Sequence, residues 1–321
     1  MKRLSKLVQN KGGTVMFTYM YNLFISIGNQ RDSILIQGLI FAILALGVYI
    51  TYKILDFPDL SVDGTFPLGA AVTAVMITKG VNPFVTLPVS FFCGAFFGML
   101  TGVIHVKLKV RDLLAGIIIS TALYTVNLRI AGKANVPFFS KDTIFTSGII
   151  GKFFGNMESS LSKIIVVAFI VVLLKVLLDL YLKTRSGYLL RATGDNSTLV
   201  TSLGKDKGLV KILGLSIANG LAALAGCIYA QDQSYFDITM GTGMVMLGLA
   251  SVIIGISVFK GVRFMKPTTA VVIGSVIYKL CIAIAIAAGL GANDLKLVYS
   301  VLFLVILVST RERRKKVREN A

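Results

Sequence analysis

Apolar stretches of about 20 residues recur along this chain from Ile34 to the C-terminus, and no other feature restricts its fold as severely. Wound as a helix, a stretch of that length crosses the roughly 30 Å hydrocarbon core of a bilayer. Lipid offers no water to an unpaired backbone, so each stretch reads as a helix. The expected helices are 15–30, 34–54, 66–80, 84–106, 113–132, 163–183, 209–230, 242–259, 268–289 and 295–310. The 66–80 segment is too short to span comfortably, and protein is expected around its ends. With 55% hydrophobic and 15% charged residues, a water-soluble fold has nowhere to place this surface. The fold class is therefore all-α and polytopic, with about ten transmembrane helices, or nine without the first.

Charge supplies an orientation. The net charge of +18 is distributed by loop. Basic clusters fall at Lys2, Arg3, Lys6 and Lys11, at Lys107, Lys109 and Arg111, and at Lys183, Arg185, Arg191, Lys205, Lys207 and Lys211. Others are Lys260, Arg263 and Lys266, and the tail Arg311, Arg313, Arg314, Lys315, Lys316 and Arg318. Intervening loops are poorer in Lys and Arg, and 231–241 has none. The positive-inside rule puts the basic loops and both termini in the cytoplasm of a plasma-membrane protein. Ten crossings satisfy this, whereas nine put the N-terminus outside. A polybasic tail suits anionic lipid, and a nucleic-acid role is not expected. Lys2 to Lys11 precede the apolar stretch Val15 to Ile27, but no clean small-residue cleavage site follows, so this segment is expected to be retained. Cys93, Cys227 and Cys281 lie in apolar helices without metal-ligand spacing and read as packing residues. His105, the single histidine, ends a helix beside Lys107 and is expected at the membrane surface.

Two places break the apolar pattern. Asp56 to Pro67, DFPDLSVDGTFP, carries three carboxylates, two prolines and a glycine. Pro58 and Pro67 remove backbone donors and Gly64 tolerates unusual dihedrals, so no continuous helix is expected there. A related string, Asp237 to Gly248, aligns with Asp59 to Gly69 with one gap. By charge the first loop is cytoplasmic and the second external, the relation expected of inverted-topology repeats. The second place is the basic loop after residue 183. Asp195 or Asn196 suits an N-cap, Leu199, Val200 and Leu203 share a helical face, and Gly204 suits C′. A short amphipathic helix follows, either resting on headgroups or docking into a cytoplasmic partner.

Among polar residues, Asp56, Asp59, Asp63 and Thr65 either line a transport path or serve the turn, Asp59 and Asp63 by capping helix 66–80. Ser120, Thr121, Tyr124 and Asn127 lie on one face of helix 113–132, a stripe that lines a path or joins helices. Asn219 and Lys279 are isolated polar residues with the same two readings, and Lys175 reads as a snorkelling lysine. Gly94, Gly98 and Gly102 recur at every fourth position and imply close helix packing. There is no paired-histidine, HExxH or Cys-His constellation, so the chain reads as a non-enzyme with no metal. It also lacks a G-x-x-x-x-G-K-[ST] loop, so energy for transport must come from a partner or a gradient.

The stretch from Gln37 through Gly47, Asp56 and Asp63 to Ala70 resembles the first strong block of permeases in branched-chain amino acid and ribose type ATP-binding-cassette importers. Within it, ILDFPDLSVDGTFPLGAAV looks still more like a subgroup proposed to import tryptophan or tyrosine. The run through Gly187, Arg191, Ala192, Asn196, Leu203 and Gly204 resembles that family's coupling helix. The resemblance implies a permease dimer, two cytoplasmic ATPases that bind the ATP, and an extracellular substrate-binding protein. It assigns contacts with the ATPase to Gly187, Arg191, Ala192, Asp195, Asn196, Leu199, Leu203 and Gly204. It leaves Asp56, Asp59, Asp63, Thr65, Ser120, Thr121, Tyr124, Asn127 and Asn219 as candidates for the path. The chain then divides into a basic extension 1–33, a first repeat 34–132, an external loop with linking helix 133–183, a coupling loop 184–208, a second repeat 209–310 and a tail 311–321. An amino acid is the first expectation for the cargo, a sugar or nucleoside the second. The competing class is an ion-coupled secondary transporter whose aspartates bind protons or sodium.

Overall fold

A computed structural model describes residues 28, 30–147, 159–202, 204–262, 264–288, 297–298 and 300–308. The expected first helix and the basic tail thus lie almost wholly outside the described residues. α1 runs Gln30–Ile54, with its last turns, Tyr49–Ile54, wound as a π-helix. α2 (Val62–Thr78), α3 (Pro83–Val106) and α4 (Asp112–Ala131) follow. After strand β1 (Asn135–Pro137) come α5 (Ser159–Tyr181), α6 (Arg185–Asp195), α7 (Ser197–Ser202) and α8 (Lys207–Gln233). Strand β2 (Tyr235–Asp237) and a 3-10 turn (Ile238–Gly241) lead to α9 (Met244–Val258), α10 (Pro267–Ala287) and a last helical piece, α11, described at 297–298 and 300–308.

Seven helices among the described residues are long and apolar enough to cross a membrane, with α2 as a shorter apolar helix between them. Expected and observed boundaries differ by no more than four residues for the helices from α1 to α10 that the sequence marked. Among the described residues, the exceptions to the all-α expectation are two strands, which pair antiparallel with Asn135 opposite Asp237 and Pro137 opposite Tyr235. Nothing apolar marks three-residue strands, so only their meeting reveals them.

Burial sorts the helices. In α1, 83% of the apolar window is buried, against 17% in α5, so α1 is a central post and α5 a peripheral one. α5 turns Phe169, Val172, Leu177 and Leu180 outward, and α3 does so with Phe92 and Phe96. An apolar rim of this kind suits hydrocarbon rather than water. α2 is enclosed over nearly its whole length, from Gly64 through Ala74, so protein surrounds it well beyond its ends.

α3 lies tightly on α8. A Cβ at Gly94 would collide with the Asn219 carbonyl, one at Gly98 with that of Leu215, and one at Gly102 would reach the Ile212 Cα at 2.8 Å. The four-residue glycine spacing therefore lets the two backbones approach, as expected. The bundle has a basic end, where Lys211 Nζ meets His105 Nε2 at 3.4 Å and Lys266 meets Asp179 at 3.2 Å. The β1–β2 ribbon closes the opposite end over Ala70, Ala71, Ala74 and Ile77 of α2.

Candidate functional site

The polar break after α1 begins with Leu55, whose N–H bonds Ile50 O at 3.0 Å across the π-turn. Pro58 bars the helical conformation to its predecessor, which ends the helix there. Asp56 adopts φ +51°, the left-handed region that side chains other than glycine rarely enter, and it is exposed. Phe57 turns inward and packs against His105 edge-on, with ring centroids 5.0 Å apart. His105, at the basic end of the bundle, is half-buried, bonds Val110 O at 2.9 Å through Nδ1 and joins three segments.

Asp59 is buried and fully engaged. Oδ1 accepts the Ser61 N–H at 2.9 Å and the Ser61 hydroxyl at 2.6 Å, while Oδ2 accepts Asn219 Nδ2–H at 2.7 Å. The Asp59 turn closes the chain into α2 four residues before the expected start, because a carboxylate two residues upstream satisfies the first free N–H. Pro67 then sits more than a turn inside α2 rather than in its first turn. A helical proline leaves the carbonyl four residues back without its partner, here Asp63, and the backbone of Gly241 packs onto that carbonyl.

Asn219 is not isolated. It gives its second Nδ2–H to Leu215 O at 3.1 Å and takes the Thr65 hydroxyl at 2.9 Å. One amide thus fastens α8 to the break and to α2. Asp63 caps no part of α2. Its Oδ1 accepts Val245 N–H at 2.8 Å and Oδ2 accepts Gly243 N–H at 3.4 Å, so it caps α9, a helix that starts 181 positions later. The reason is that the N-terminal amides of α2 already turn back on Ser61 O, whereas α9 begins after Gly243 with no cap of its own.

The expected stripe on α4 divides. Asn127 is buried and donates to Gly64 O at 3.1 Å, with no partner for its Oδ1 among the described residues. Ser120 is half-buried against Gly64, while Thr121 and Tyr124 face outward, Thr121 bonding Ile117 O of its own helix at 2.8 Å. The buried stripe therefore runs through Leu123 and Asn127, which share the inner face of α4. Lys175 is not merely snorkelling, since it meets Asp179 at 2.8 Å. Cys227 is buried as expected, whereas Cys93 and Cys281 are half-buried.

At the basic end, the expected single short helix is two. α6 starts under Thr184, whose hydroxyl oxygen accepts the Gly187 N–H at 3.3 Å, and was missed because Gly187 and Gly194 dilute its helical signal. Both glycines are needed for contact: a side chain at Gly187 would strike the Tyr181 carbonyl, and one at Gly194 the Ile54 carbonyl. Leu190 and Thr193 point the same way, Leu190 meeting Leu55 over Gly214. The opposite face carries Tyr188, Arg191 and Asp195, all exposed, with Ala192 half-buried. Asn196, not Asp195, caps α7 by accepting Thr198 N–H at 3.1 Å, and Gly204 ends that turn at φ +69°. Leu203 and the side chain of Leu199 lie outside the described residues.

The turn at Asp237 repeats that at Asp59. Asp237 Oδ1 accepts the Thr239 N–H at 2.8 Å and its hydroxyl at 2.6 Å. Burial raises the Asp237 carboxyl, but the bonds from Thr239 and Asn135 outweigh it and hold it below the usual carboxylate range.

Residues 30–310 match the family described as the branched-chain amino acid transport system permease component. The chain is 44% identical over 277 residues to a tyrosine transport system permease protein of Clostridioides difficile, covering 86% of this chain and 90% of that one. It is 28% identical over 229 residues to the ribose import permease of Escherichia coli K12, covering 71% and 69%. To the autoinducer 2 import system permease of Salmonella typhi it is 25% identical over 271 residues, covering 78% and 72%. No solved structure matches the chain.

Proposed function

This chain belongs to the branched-chain amino acid transport system permease family, a transport component of the multi-pass membrane type and not an enzyme, and from that premise we propose that it imports an amino acid under the drive of a partner ATPase. The observation that carries this reading is α6. One face is welded to Ile54, Leu55 and Gly214, and the other presents Tyr188, Arg191 and Asp195 beyond the bundle. A helix held so firmly on one side and left unpartnered on the other suits a joint that receives motion from outside. In this reading the basic end is cytoplasmic, the C-terminus lies inside, and α6 and α7 dock on an ATP-binding-cassette ATPase that holds the ATP. A second permease copy and an extracellular substrate-binding protein complete the importer.

The cargo proposed is an aromatic amino acid, supported by the similarity to a tyrosine permease. The matching Asp59 and Asp237 turns support the reading of 34–132 and 209–310 as inverted repeats joined by α5, with the coupling loop at 184–208 between them. Asp59 and Asp63 spend their oxygens on N–H and O–H donors within the fold, which disfavours them as proton or sodium sites. The test is co-purification. Tyr188→Asp with Arg191→Glu strips a co-expressed ATPase from the permease and leaves the permease's melting temperature unchanged. An ATPase that stays bound refutes the docking face, and a reconstituted importer that takes up no amino acid refutes the cargo.

A further inference from the structure

An ammonium group lies inside the bundle without an acidic partner. Lys279 is midway along α10 and half-buried, and no ion pair among the described residues includes it. Its Nζ stands instead 5.7 Å from the centroid of the Phe41 ring. Phe41 is one of three rings in mutual contact: it stacks on Tyr229 at 5.6 Å and meets Phe66 at 6.4 Å, while Phe66 and Tyr229 are 5.7 Å apart. These rings come from α1, α8 and α2, all central helices. A cation at this depth is costly, and contact with one ring offsets only part of that cost.

Inside a transporter, the N-terminus of an interrupted helix is the other common receiver of an anionic group. Here the N-terminus of α9 is filled by Asp63. The described lysines deeper in the spans are otherwise engaged, Lys163 with Asp232 and Lys175 with Asp179. A carboxylate moving through the bundle therefore meets Lys279 as the open cation among these.

We propose that Lys279 receives the carboxylate of the transported solute within the membrane, and that the Phe41 face it now covers receives an aromatic side chain, with buried Phe66 and stacked Tyr229 holding that ring in place. The proposal rests on the reading of this chain as an amino acid importer subunit and names the site that the reading leaves open. When Nζ turns to a carboxylate it frees the face of Phe41, which then offers the solute a π surface. A neutral sugar supplies neither the charge nor the ring, so this site selects against it.

The test uses the complete importer in proteoliposomes, permease with ATPase and binding protein, and follows radiolabelled L-tyrosine, other amino acids and ribose. Lys279→Met lowers amino acid uptake by at least about tenfold, the loss expected when one charge-assisted hydrogen bond disappears. Lys279→Arg keeps most of the uptake, and both variants purify with their partners at the parent's melting temperature. A parent that carries amino acids while Lys279→Met carries them equally fast overturns this inference and leaves the importer reading standing. A parent that carries only ribose overturns both. If Lys279→Met instead melts early or sheds its partners, the lysine serves the fold or a subunit contact, and the inference also fails.

Discussion

The bond between Asn219 and Asp59 ties α8 to the polar break, and a double-mutant cycle measures it. Asn219 Nδ2 lies 2.7 Å from Asp59 Oδ2, and no other described donor reaches that oxygen. Asn219→Leu keeps the branched outline of the side chain but removes this bond, which contributes about 1.5–3 kcal/mol when the acceptor is charged. The Thr65 hydroxyl also loses its acceptor but retains Val62 O at 3.4 Å, so its share is smaller, about 0.5 kcal/mol. The single variant should thus be destabilised by about 2–3.5 kcal/mol. Asp59→Ala additionally takes from the Ser61 hydroxyl its 2.6 Å acceptor and leaves it Asn219 Oδ1 at 3.0 Å. The double variant has no Asn219–Asp59 bond left to lose, so it should be more stable than the sum of the singles predicts by about 1.5–3 kcal/mol. Unfolding in mixed micelles of rising SDS fraction, followed by circular dichroism because the chain has no Trp, gives each value. Additive effects, with a coupling below about 0.5 kcal/mol, refute the claim that this amide bolts the break in place.

Two further perturbations probe the packing and the ribbon. Gly98→Val pushes α3 off the Leu215 carbonyl and the Asn219 Cβ and should cost about 1–3 kcal/mol in the same assay, whereas Gly261→Ala, with nothing near its added carbon, stays within about 0.5 kcal/mol of the parent; equal effects overturn the close-approach reading. Because the folded Asp237 carboxyl titrates below its unfolded value of about 3.9, its contribution is present above that pH and lost as pH falls through the lower folded value. The melting-temperature gap between the parent and Asp237→Asn should therefore be steady near neutrality and close in acid, and a gap that ignores pH removes the carboxylate's role.

What the sequence made legible followed from local physics. Apolar length placed α1 to α5 and α8 to α10, and an asparagine before a short run ending in glycine marked α7. The misses share a different cause. Asp63 looked like a cap for its own helix, and Asn219 looked isolated, because each has partners roughly 150 or more positions away. The inner face of α4 was misplaced for a related reason: a polar stripe reports which residues share a side, not whether that side meets protein or lipid. The ribbon depends on three-residue strands whose pairing exists only after the bundle has assembled. Pro67 misled in the opposite direction, since α2 runs through it with Gly241 packed on the carbonyl it frees.

These long-range contacts bear on how motion would travel. If α6 receives the stroke, its inner face delivers that stroke to the Ile54 carbonyl through Gly194 and to Leu55 through Leu190, contacts too tight to absorb displacement. Both targets lie at the end of the π-turn, where i→i+5 bonding has already loosened the regular ladder. The chain then enters a break whose far side is anchored, by Asp59 to Asn219 and by Asp63 to the start of α9. A push from α6 therefore meets one compliant element, Tyr49–Ile54 with Asp56, between a rigid driver and two rigid anchors. The left-handed φ of Asp56 belongs to that element, which in this reading would serve as the hinge. The path and its gate would then be moved through α2 and α9 together, because Asp63 joins the first turn of one to the first turn of the other.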